Sequence, residues 1–294
     1  METKILDGKV VAQKIKDELK VKTLVLKQSK GIVPGLALLM VGNNPASLVY
    51  VKGKAKACEE IGFNSIMKEL PEDATEQEVL NIINLWNSDD AIHGILVQLP
   101  LPKHISENKV LLSIKPSKDV DGFHPENVGR LVEGLPGFVS CTPAGIIEIM
   151  KHYDINPSGK NVVVIGRSNI VGKPMLNLLY QKREFSNATV TICHTGTKNL
   201  HFYTQNADII IAAMGFPQFL KAEHIKEGAI IIDVGINRIE DSTKKSGYRL
   251  VGDVDYQDVF EKCTAITPVP GGVGPLTIAM LMSNTFHSAN GEIY

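Results

Sequence analysis

The chain has 294 residues, of which 44% are hydrophobic and 6% are aromatic, and its formal net charge is −1. This length is sufficient for two domains of ordinary size. The balanced charge gives no support to a nucleic-acid-binding or membrane-surface role, and no apolar run is long enough to cross a bilayer. We therefore expect neither nucleic acid nor a membrane as a partner.

The cellular compartment is predicted from the N-terminus and the cysteines. The first eight residues carry acidic side chains early and lack the apolar core of a signal peptide. The four cysteines are scattered and form no Cys-x-x-Cys pair. This pattern is typical of buried free thiols in a reducing compartment, so we expect a cytoplasmic protein.

The first half of the chain mixes predicted helices with short apolar strands. Thr75 is followed three residues later by Glu78, which is a capping-box pattern at a helix start. In chain order, apolar periodicity predicts a helix over 9–29, a strand over 36–41, helices over 47–61 and 75–86, a strand over 92–99 and a helix over 143–152.

The second half alternates more regularly. Short β-branched runs separated by helical or loop segments predict a parallel sheet that is covered by helices on both faces. These runs are 162–165, 189–193, 209–212 and 230–234. We place a domain boundary near residue 141, with one domain over 1–140, completed by a returning C-terminal helix over 276–294, and a Rossmann-like domain over 141–275.

A phosphate-binding turn is predicted after the first strand of the second half. Gly166–Pro174 follows that strand and precedes an apolar helix, although Ser168 stands where a second glycine is usual. The next strand ends at Thr195 without an acidic residue to bind a ribose 2′-hydroxyl. Arg167 is either a solvated surface charge or the partner of a 2′-phosphate, and the second reading predicts NADP as the cofactor.

Two segments of the first half carry candidate chemistry. Tyr50 and Lys54 share one helix face, and they form either an ordinary surface helix or part of a catalytic site. Gln98 interrupts an apolar strand, where it either satisfies backbone groups or holds a functional partner. Lys118–Pro125 contains Asp119, Asp121 and His124, but their spacing matches no EF-hand or zinc pattern. We therefore expect no metal and interpret the segment as a turn that carries one carboxylate into a cleft.

A rigid loop lies near the C-terminus. Pro268–Thr277 contains three prolines and three glycines within ten residues, and a helical pattern follows. Proline fixes φ while glycine permits unusual backbone angles, so this composition specifies one path rather than a flexible linker. The loop is either a structural turn or a cradle for a phosphate or a flat polar ring.

Taken together, these segments resemble the bifunctional methylenetetrahydrofolate dehydrogenase/methenyltetrahydrofolate cyclohydrolase family, and the resemblance runs from end to end. Leu276 stands where methionine or phenylalanine is more usual in that family. The matching motifs are Asn87-x-Asp89 with Ile95–Leu101, Pro270–Thr277, Tyr50–Lys54, Lys118–Gly122, Gly166–Gly172 and Asp233–Asn237.

The resemblance implies two α/β domains around a cleft, and two activities. The first oxidises 5,10-methylenetetrahydrofolate with NADP, and the second hydrolyses the methenyl product to 10-formyltetrahydrofolate, within the one-carbon metabolism that supplies purine and amino-acid biosynthesis. It implies that Tyr50 stacks on the folate, Lys54 transfers protons, Gln98 holds Lys54 and Asp121 grips the pterin.

The same resemblance implies further contacts and a homodimer that pairs through the nucleotide domains. The folate would also meet Leu99, Pro270, Gly271 and Gly272, and NADP would meet Gly166, Arg167, Ser168, Val171, Thr195 and Ile236. Three alternatives stay open: a monofunctional dehydrogenase of this fold, a dehydrogenase acting on another substrate such as an amino acid, and a non-catalytic nucleotide sensor, which would have no need of the Tyr50, Lys54, Gln98 and Asp121 set.

Overall fold

The computed structural model describes residues 2–244 and 247–294, and they fold into two compact units. One unit contains the segment up to Ala12 together with Thr142–Thr277, and the other contains Gln13–Cys141 and Ile278–Tyr294. The strands are β1 (Lys4–Ile5), β2 (Gly35–Val41), β3 (Asn64–Leu70), β4 (Gly94–Val97), β5 (Asn161–Ile165), β6 (Thr189–Cys193), β7 (Ile209–Ala212), β8 (Ile230–Asp233), β9 (Asn237–Glu240), β10 (Tyr248–Val251) and β11 (Ala265–Ile266).

The helices include the long α1 and α10, each of which contributes residues to both units. In chain order the helices are α1 (Gly8–Lys30), α2 (Pro45–Ile61), α3 (Glu76–Ser88), α4 (Glu107–Ser113), α5 (Pro125–Glu133), α6 (Cys141–His152), α7 (Gly172–Leu179), α8 (Leu200–Thr204), α9 (Tyr256–Phe260) and α10 (Gly274–Asn290). None of the described helices is long and apolar enough to span a membrane.

The unit that contains Gln13–Cys141 is built on a parallel sheet in the order β3-β2-β4. Every residue of the central strand β2 is buried. Alternate side chains of a strand point to opposite faces, so Leu38 packs into one hydrophobic cluster and Leu39 into another. A strand buried on both faces explains why its sequence is continuously apolar rather than alternating.

The other unit is built on a larger parallel sheet in the order β1-β11-β8-β7-β5-β6. The four strands that sequence analysis predicted in this half all belong to it, and the predicted α/β class with parallel sheets is confirmed. β1 also joins this sheet, because Lys4 and Ile5 pair with Ala265 and Ile266. The predicted division assigns these N-terminal residues to the first domain, which differs from the observed grouping.

The capping box predicted at Thr75 is present in the structure. Thr75 is the N-cap of α3, where its hydroxyl accepts from the backbone N–H of Glu78 at 3.2 Å. The Glu78 carboxylate accepts from the backbone N–H of Thr75 at 2.7 Å in return, which completes the predicted capping box.

Candidate active site

Lys54 and Gln98 meet in the unit that contains β2, although they are 44 positions apart in the sequence. Lys54 lies on α2 with only 8% of its surface exposed, and Gln98 follows the end of β4. The Lys54 Nζ donates to Gln98 Oε1 at 3.0 Å, and Gln98 Nε2 donates to the backbone oxygen of Leu99 at 2.8 Å. The second bond fixes the amide so that its oxygen, rather than its nitrogen, faces the lysine.

The Gln98 backbone extends the sheet by one further hydrogen bond. Its N–H donates to the backbone oxygen of Leu39 on β2 at 2.8 Å. This bond holds the residue at the carboxyl end of the parallel strands, which is where ligands bind in open α/β sheets. The glutamine that interrupts the apolar run is therefore placed at the strand end and not within the core.

Burial shifts the pKa values of the titratable groups in this cluster. Burial lowers the pKa of Lys54, while the nearby Asp121 and Cys141 oppose that shift. Burial raises the pKa of Asp121, against the charge of Lys54 and the thiol of Cys141. Because its direct hydrogen-bond partner is a neutral amide, Lys54 gains no ion pair from Gln98 and is closer to a neutral amine than a surface lysine is.

Tyr50 lies one helical turn before Lys54 and is 48% exposed. An exposed aromatic side chain beside a buried amine is available to stack on a flat ligand. A Cβ added to Gly53 would meet only the side chain of Ile278, at 3.6 Å, which is an ordinary contact. Internal packing therefore does not require glycine at this position of the helix.

Asp119 and His124, which sequence analysis considered as metal ligands, serve the local fold. Asp119 is 2% exposed, and its carboxylate accepts from the backbone N–H of His124 at 2.8 Å and from Asn127 Nδ2 at 2.9 Å. His124 caps α5 by accepting from the backbone N–H of Glu126 at 3.1 Å. Asp121, the other aspartate of this segment, opposes through its charge the lowering of the Lys54 pKa.

The loop near Pro270 belongs to the unit that contains the larger sheet. The Gly272 N–H donates to the backbone oxygen of Pro268 at 2.7 Å, and the Gly8 N–H donates to the backbone oxygen of Gly271 at 2.9 Å. A Cβ at Gly272 would approach Pro268 O to 2.6 Å, so packing of the loop itself requires this glycine. The predicted folate contacts of Pro270, Gly271 and Gly272 stay predictions.

A pocket of about 610 Å³ opens at the carboxyl ends of β5, β6 and β7. The strand order β7-β5-β6 makes this a topological switch point, because the chain passes from β5 to β6 on one side and then crosses to β7 on the other side of β5. Its lining residues are Ile165, Gly166, Arg167, Ser168, His194, Thr195, Thr197, Leu200, Ala213, Met214, Phe216 and Phe219.

The glycine turn after β5 is shaped by close backbone contacts. Gly166 has φ of +129°, and a Cβ there would lie 2.2 Å from the backbone oxygen of Ala213. A Cβ at Gly172 would lie 2.1 Å from the backbone oxygen of Gly166. Ser168 Oγ accepts from the backbone N–H of Val171 at 3.0 Å, so the serine at the atypical position orders the turn before α7.

The predicted nucleotide-binding residues divide into two groups. Gly166, Arg167, Ser168 and Thr195 line the pocket, whereas Val171 and Ile236 do not. Val171 instead precedes α7, and Ile236 is 48% exposed between β8 and β9. Sequence reasoning missed the pocket residues Met214, Phe216 and Phe219, although their position directly after the predicted strand that became β7 was a usable signal.

Comparison with known proteins decides the family. Residues 6–121 match the catalytic domain model of tetrahydrofolate dehydrogenase/cyclohydrolase, and residues 140–293 match its NAD(P)-binding domain model. The chain belongs to this family. The predicted resemblance is thus confirmed over nearly the whole sequence.

Individual relatives agree with the family models. The bifunctional protein FolD of Chlorobium luteolum is 59% identical, and the match covers 98% of this chain and 99% of the relative. The crystal structure of the bifunctional FolD of Campylobacter jejuni is 53% identical with a TM-score of 0.93, covering 98% and 99% of the two chains. The Trypanosoma brucei FolD, which was solved with NADP and an inhibitor, is 38% identical with a TM-score of 0.93, covering 100% and 99%.

Proposed function

We propose that this protein oxidises 5,10-methylenetetrahydrofolate with NADP and hydrolyses the resulting methenyl cation to 10-formyltetrahydrofolate. Family membership over both domains supports the two activities. The observation that carries the hydrolytic half is the buried Lys54, whose amine is held by the neutral Gln98 amide at 3.0 Å. A dehydrogenase without hydrolase activity would have no evident use for this pair.

Proton transfer by Lys54 accounts for the hydrolysis. Water adds to the methenyl carbon, and the neutral Lys54 amine accepts the proton that the water loses. The carbon–N5 bond then breaks as the ammonium returns a proton to N5, while the adduct hydroxyl loses its proton to form the formyl group on N10. One proton is released overall, and a lowered Lys54 pKa favours the acceptor form that the first step needs.

The other residues of this unit orient the substrate. Tyr50 offers an exposed ring for stacking on the folate, Asp121 binds the pterin, and Leu99 lies beside Gln98 at the substrate site. The cationic methenyl group further disfavours a protonated Lys54, because like charges repel. Gln98 orients the amine without restoring the charge that an acidic partner would stabilise.

The pocket at the ends of β5, β6 and β7 fits a dinucleotide. Its glycine turn leaves no room for a Cβ at Gly166, and its polar lining combines Arg167 with neutral hydroxyl groups such as that of Thr195. NADP, when bound, accepts the hydride from the methylene carbon. Arg167 binds the 2′-phosphate in this proposal, Gly166, Ser168 and Val171 form the phosphate turn, and Ile236 borders the cofactor.

The assembly and cellular context are also part of the proposal. We propose a cytoplasmic homodimer that pairs through its nucleotide domains and supplies one-carbon units to purine and amino-acid biosynthesis. The folate-binding domain is the Lys54 unit and the NADP-binding domain is the unit of the larger sheet. Light scattering at micromolar concentration tests the dimer, since the single-chain mass of 32.1 kDa would contradict it.

An absorbance assay tests the two activities separately. Purified protein is expected to reduce NADP when 5,10-methylenetetrahydrofolate is supplied, and to accelerate loss of methenyl absorbance when methenyltetrahydrofolate is supplied alone. A hydrolysis rate equal to that of buffer would leave a monofunctional dehydrogenase. Failure of both reactions, with nucleotide binding retained, would leave the nucleotide-sensing alternative.

A further inference from the structure

Two buried carboxylates lie next to the nucleotide pocket and have no role in the account above. Asp233 is the last residue of β8, and Asp253 follows β10 by two positions. They are 3% and 0% exposed, respectively, and neither lines the pocket. Any effect that they have on the pocket must therefore act through the groups to which they are bonded.

Asp253 binds the turn that follows β7. One carboxylate oxygen accepts from the backbone N–H groups of Met214 at 2.6 Å and Gly215 at 2.9 Å, and the other accepts from that of Phe216 at 3.0 Å. Gly215 adopts φ of +68°, which lets three consecutive amides converge on one carboxylate. Such charge-assisted bonds are stronger than neutral ones, so the shape of this turn depends on Asp253.

Asp233 in turn holds Asp253 in place. Its carboxylate accepts from the backbone N–H of Asp253 at 2.9 Å and from that of Val254 at 3.0 Å. A Cβ at Gly252 would lie 1.7 Å from Asp233 Oδ2, so glycine is required there for the close approach. Asp233 therefore holds the backbone at Asp253, and the Asp253 carboxylate holds the turn after β7.

The turn and the nearby Phe219 form one wall of the pocket. Met214, Phe216 and Phe219 all line the pocket, and the two phenylalanine rings pack edge to face with their centroids 5.7 Å apart. Phe216 is nevertheless 59% exposed. Two aromatic side chains presented together at the edge of a pocket are suited to packing against a flat apolar ring.

The position of this wall in the pocket indicates which flat ring of a dinucleotide would pack against it. In sheets of this type the pyrophosphate lies at the turn after the first strand, and the adenosine ribose lies near the end of the second strand. Those places correspond here to Gly166 after β5 and Thr195 after β6, and both line the same pocket as Phe216. The adenine that this ribose carries is therefore the flat ring within reach of the wall.

We propose that Asp253 is a positioning residue, which fixes the turn over 214–216 so that Phe216 and Phe219 pack against the adenine of the dinucleotide. This inference depends on the NADP binding proposed above. Asp253 itself does not touch the cofactor.

Calorimetric titration with NADP and with adenosine 2′,5′-bisphosphate, which has the adenine end but no nicotinamide, tests the inference. Phe216→Ala is expected to weaken both ligands by about five- to tenfold, and Asp253→Asn by about tenfold or more. Asp258→Asn is the matched control, because Asp258 also accepts a backbone N–H, that of Ala222 at 2.7 Å, but lies outside the pocket lining. It should leave both affinities unchanged.

Two further measurements separate a local effect from a loss of folding. Circular dichroism and thermal unfolding of Phe216→Ala should match the wild type, because the Phe216 side chain is 59% exposed. Gly215→Ala strains the turn at its positive φ, while its added Cβ meets no atom within 4 Å, so it should weaken both ligands even if Asp253→Asn does not fold.

The outcomes distinguish the inference from the proposed function. Unchanged affinities in Phe216→Ala and Gly215→Ala would overturn the inference while NADP binding by the wild type stands. Loss of NADP affinity with unchanged bisphosphate affinity would show that the wall does not contact adenine, and would also overturn it. A wild-type protein that binds neither ligand would refute the proposed cofactor itself.

Discussion

The Lys54 cluster and the Arg167 pocket solve opposite electrostatic problems. Lys54 is buried, with a neutral amide as its hydrogen-bond partner, and burial lowers its pKa. Arg167 is exposed at the mouth of a pocket whose backbone is ordered by glycines and by Ser168. The comparison teaches that the group proposed to transfer protons is buried, where desolvation shifts its pKa, whereas the group proposed to bind the phosphate lies exposed to solvent.

The largest expected effect is on hydrolysis, when the buried Lys54 is replaced. Lys54→Met preserves length and apolar volume but removes the amine, so hydrolysis of methenyltetrahydrofolate should fall by at least about 100-fold. Circular dichroism should show that the fold is retained. Lys52→Met and Lys56→Met are matched controls on exposed positions of α2 and should keep near-normal rates. A folded Lys54→Met protein with near-normal hydrolysis would reject the assignment.

The exposed Arg167 yields a prediction about cofactor choice, with a smaller expected effect than that of Lys54→Met. Arg167→Ala removes one charge-assisted contact, which is worth about 1.5–3 kcal/mol, so NADP affinity should fall roughly ten- to a hundredfold while NAD affinity stays nearly unchanged. Titration of both cofactors measures this difference. Lys160→Ala removes an exposed cation just before β5, at the opposite end of that strand, and serves as the control. Equal losses for NADP and NAD would show that Arg167 does not read the 2′-phosphate.

The neutral partner of Lys54 yields a pH prediction. Gln98→Glu places a carboxylate against Nζ, which raises the pKa of Lys54 and keeps it protonated to higher pH. The rise of the hydrolysis rate with pH should therefore move upward by about one pH unit or more. Gln98→Met removes the partner without adding charge and should not produce an upward shift. An unmoved pH profile in Gln98→Glu would contradict the role assigned to the neutral Lys54 amine.

The smallest expected effect concerns a region outside both sites. Thr75→Ala removes the capping box of α3 and should lower the free energy of unfolding by about 1 kcal/mol, with catalytic rates unchanged. Asn84→Ala, an exposed substitution on the same helix, should change stability by less than about 0.5 kcal/mol. Denaturant titration compares the two variants, and equal stability would argue against a contribution from the cap.

Local sequence signals predicted the elements that depend on local physics. The capping box at Thr75 and the buried strand β2 were predictable, because hydrogen bonds between near neighbours and continuous apolar runs define them. Strand β3 was not predicted, because it is an edge strand with mostly exposed, polar side chains. Its pairing with β2 depends on the assembled sheet, and its own sequence does not have the apolar pattern that indicates a strand.

The two candidate sites show this limit of sequence-based prediction more strongly than the secondary structure does. The glycine turn was predictable from its place between a strand and a helix, whereas the contact between Lys54 and Gln98 joins distant segments and was expected only through family resemblance. The bonds from Asp253 to the turn after β7 span 37 to 39 positions. Neither residue type nor spacing in the sequence indicates that this aspartate supports the pocket wall.

A crossed measurement on two variants tests the central claim most directly. Lys54→Met and Arg167→Ala are each assayed for nucleotide-free hydrolysis of methenyltetrahydrofolate and for NADP affinity. We predict that Lys54→Met loses hydrolysis but binds NADP normally, and that Arg167→Ala loses NADP affinity but hydrolyses normally. Normal hydrolysis in Lys54→Met, or comparable loss of both properties in both variants, would contradict the account.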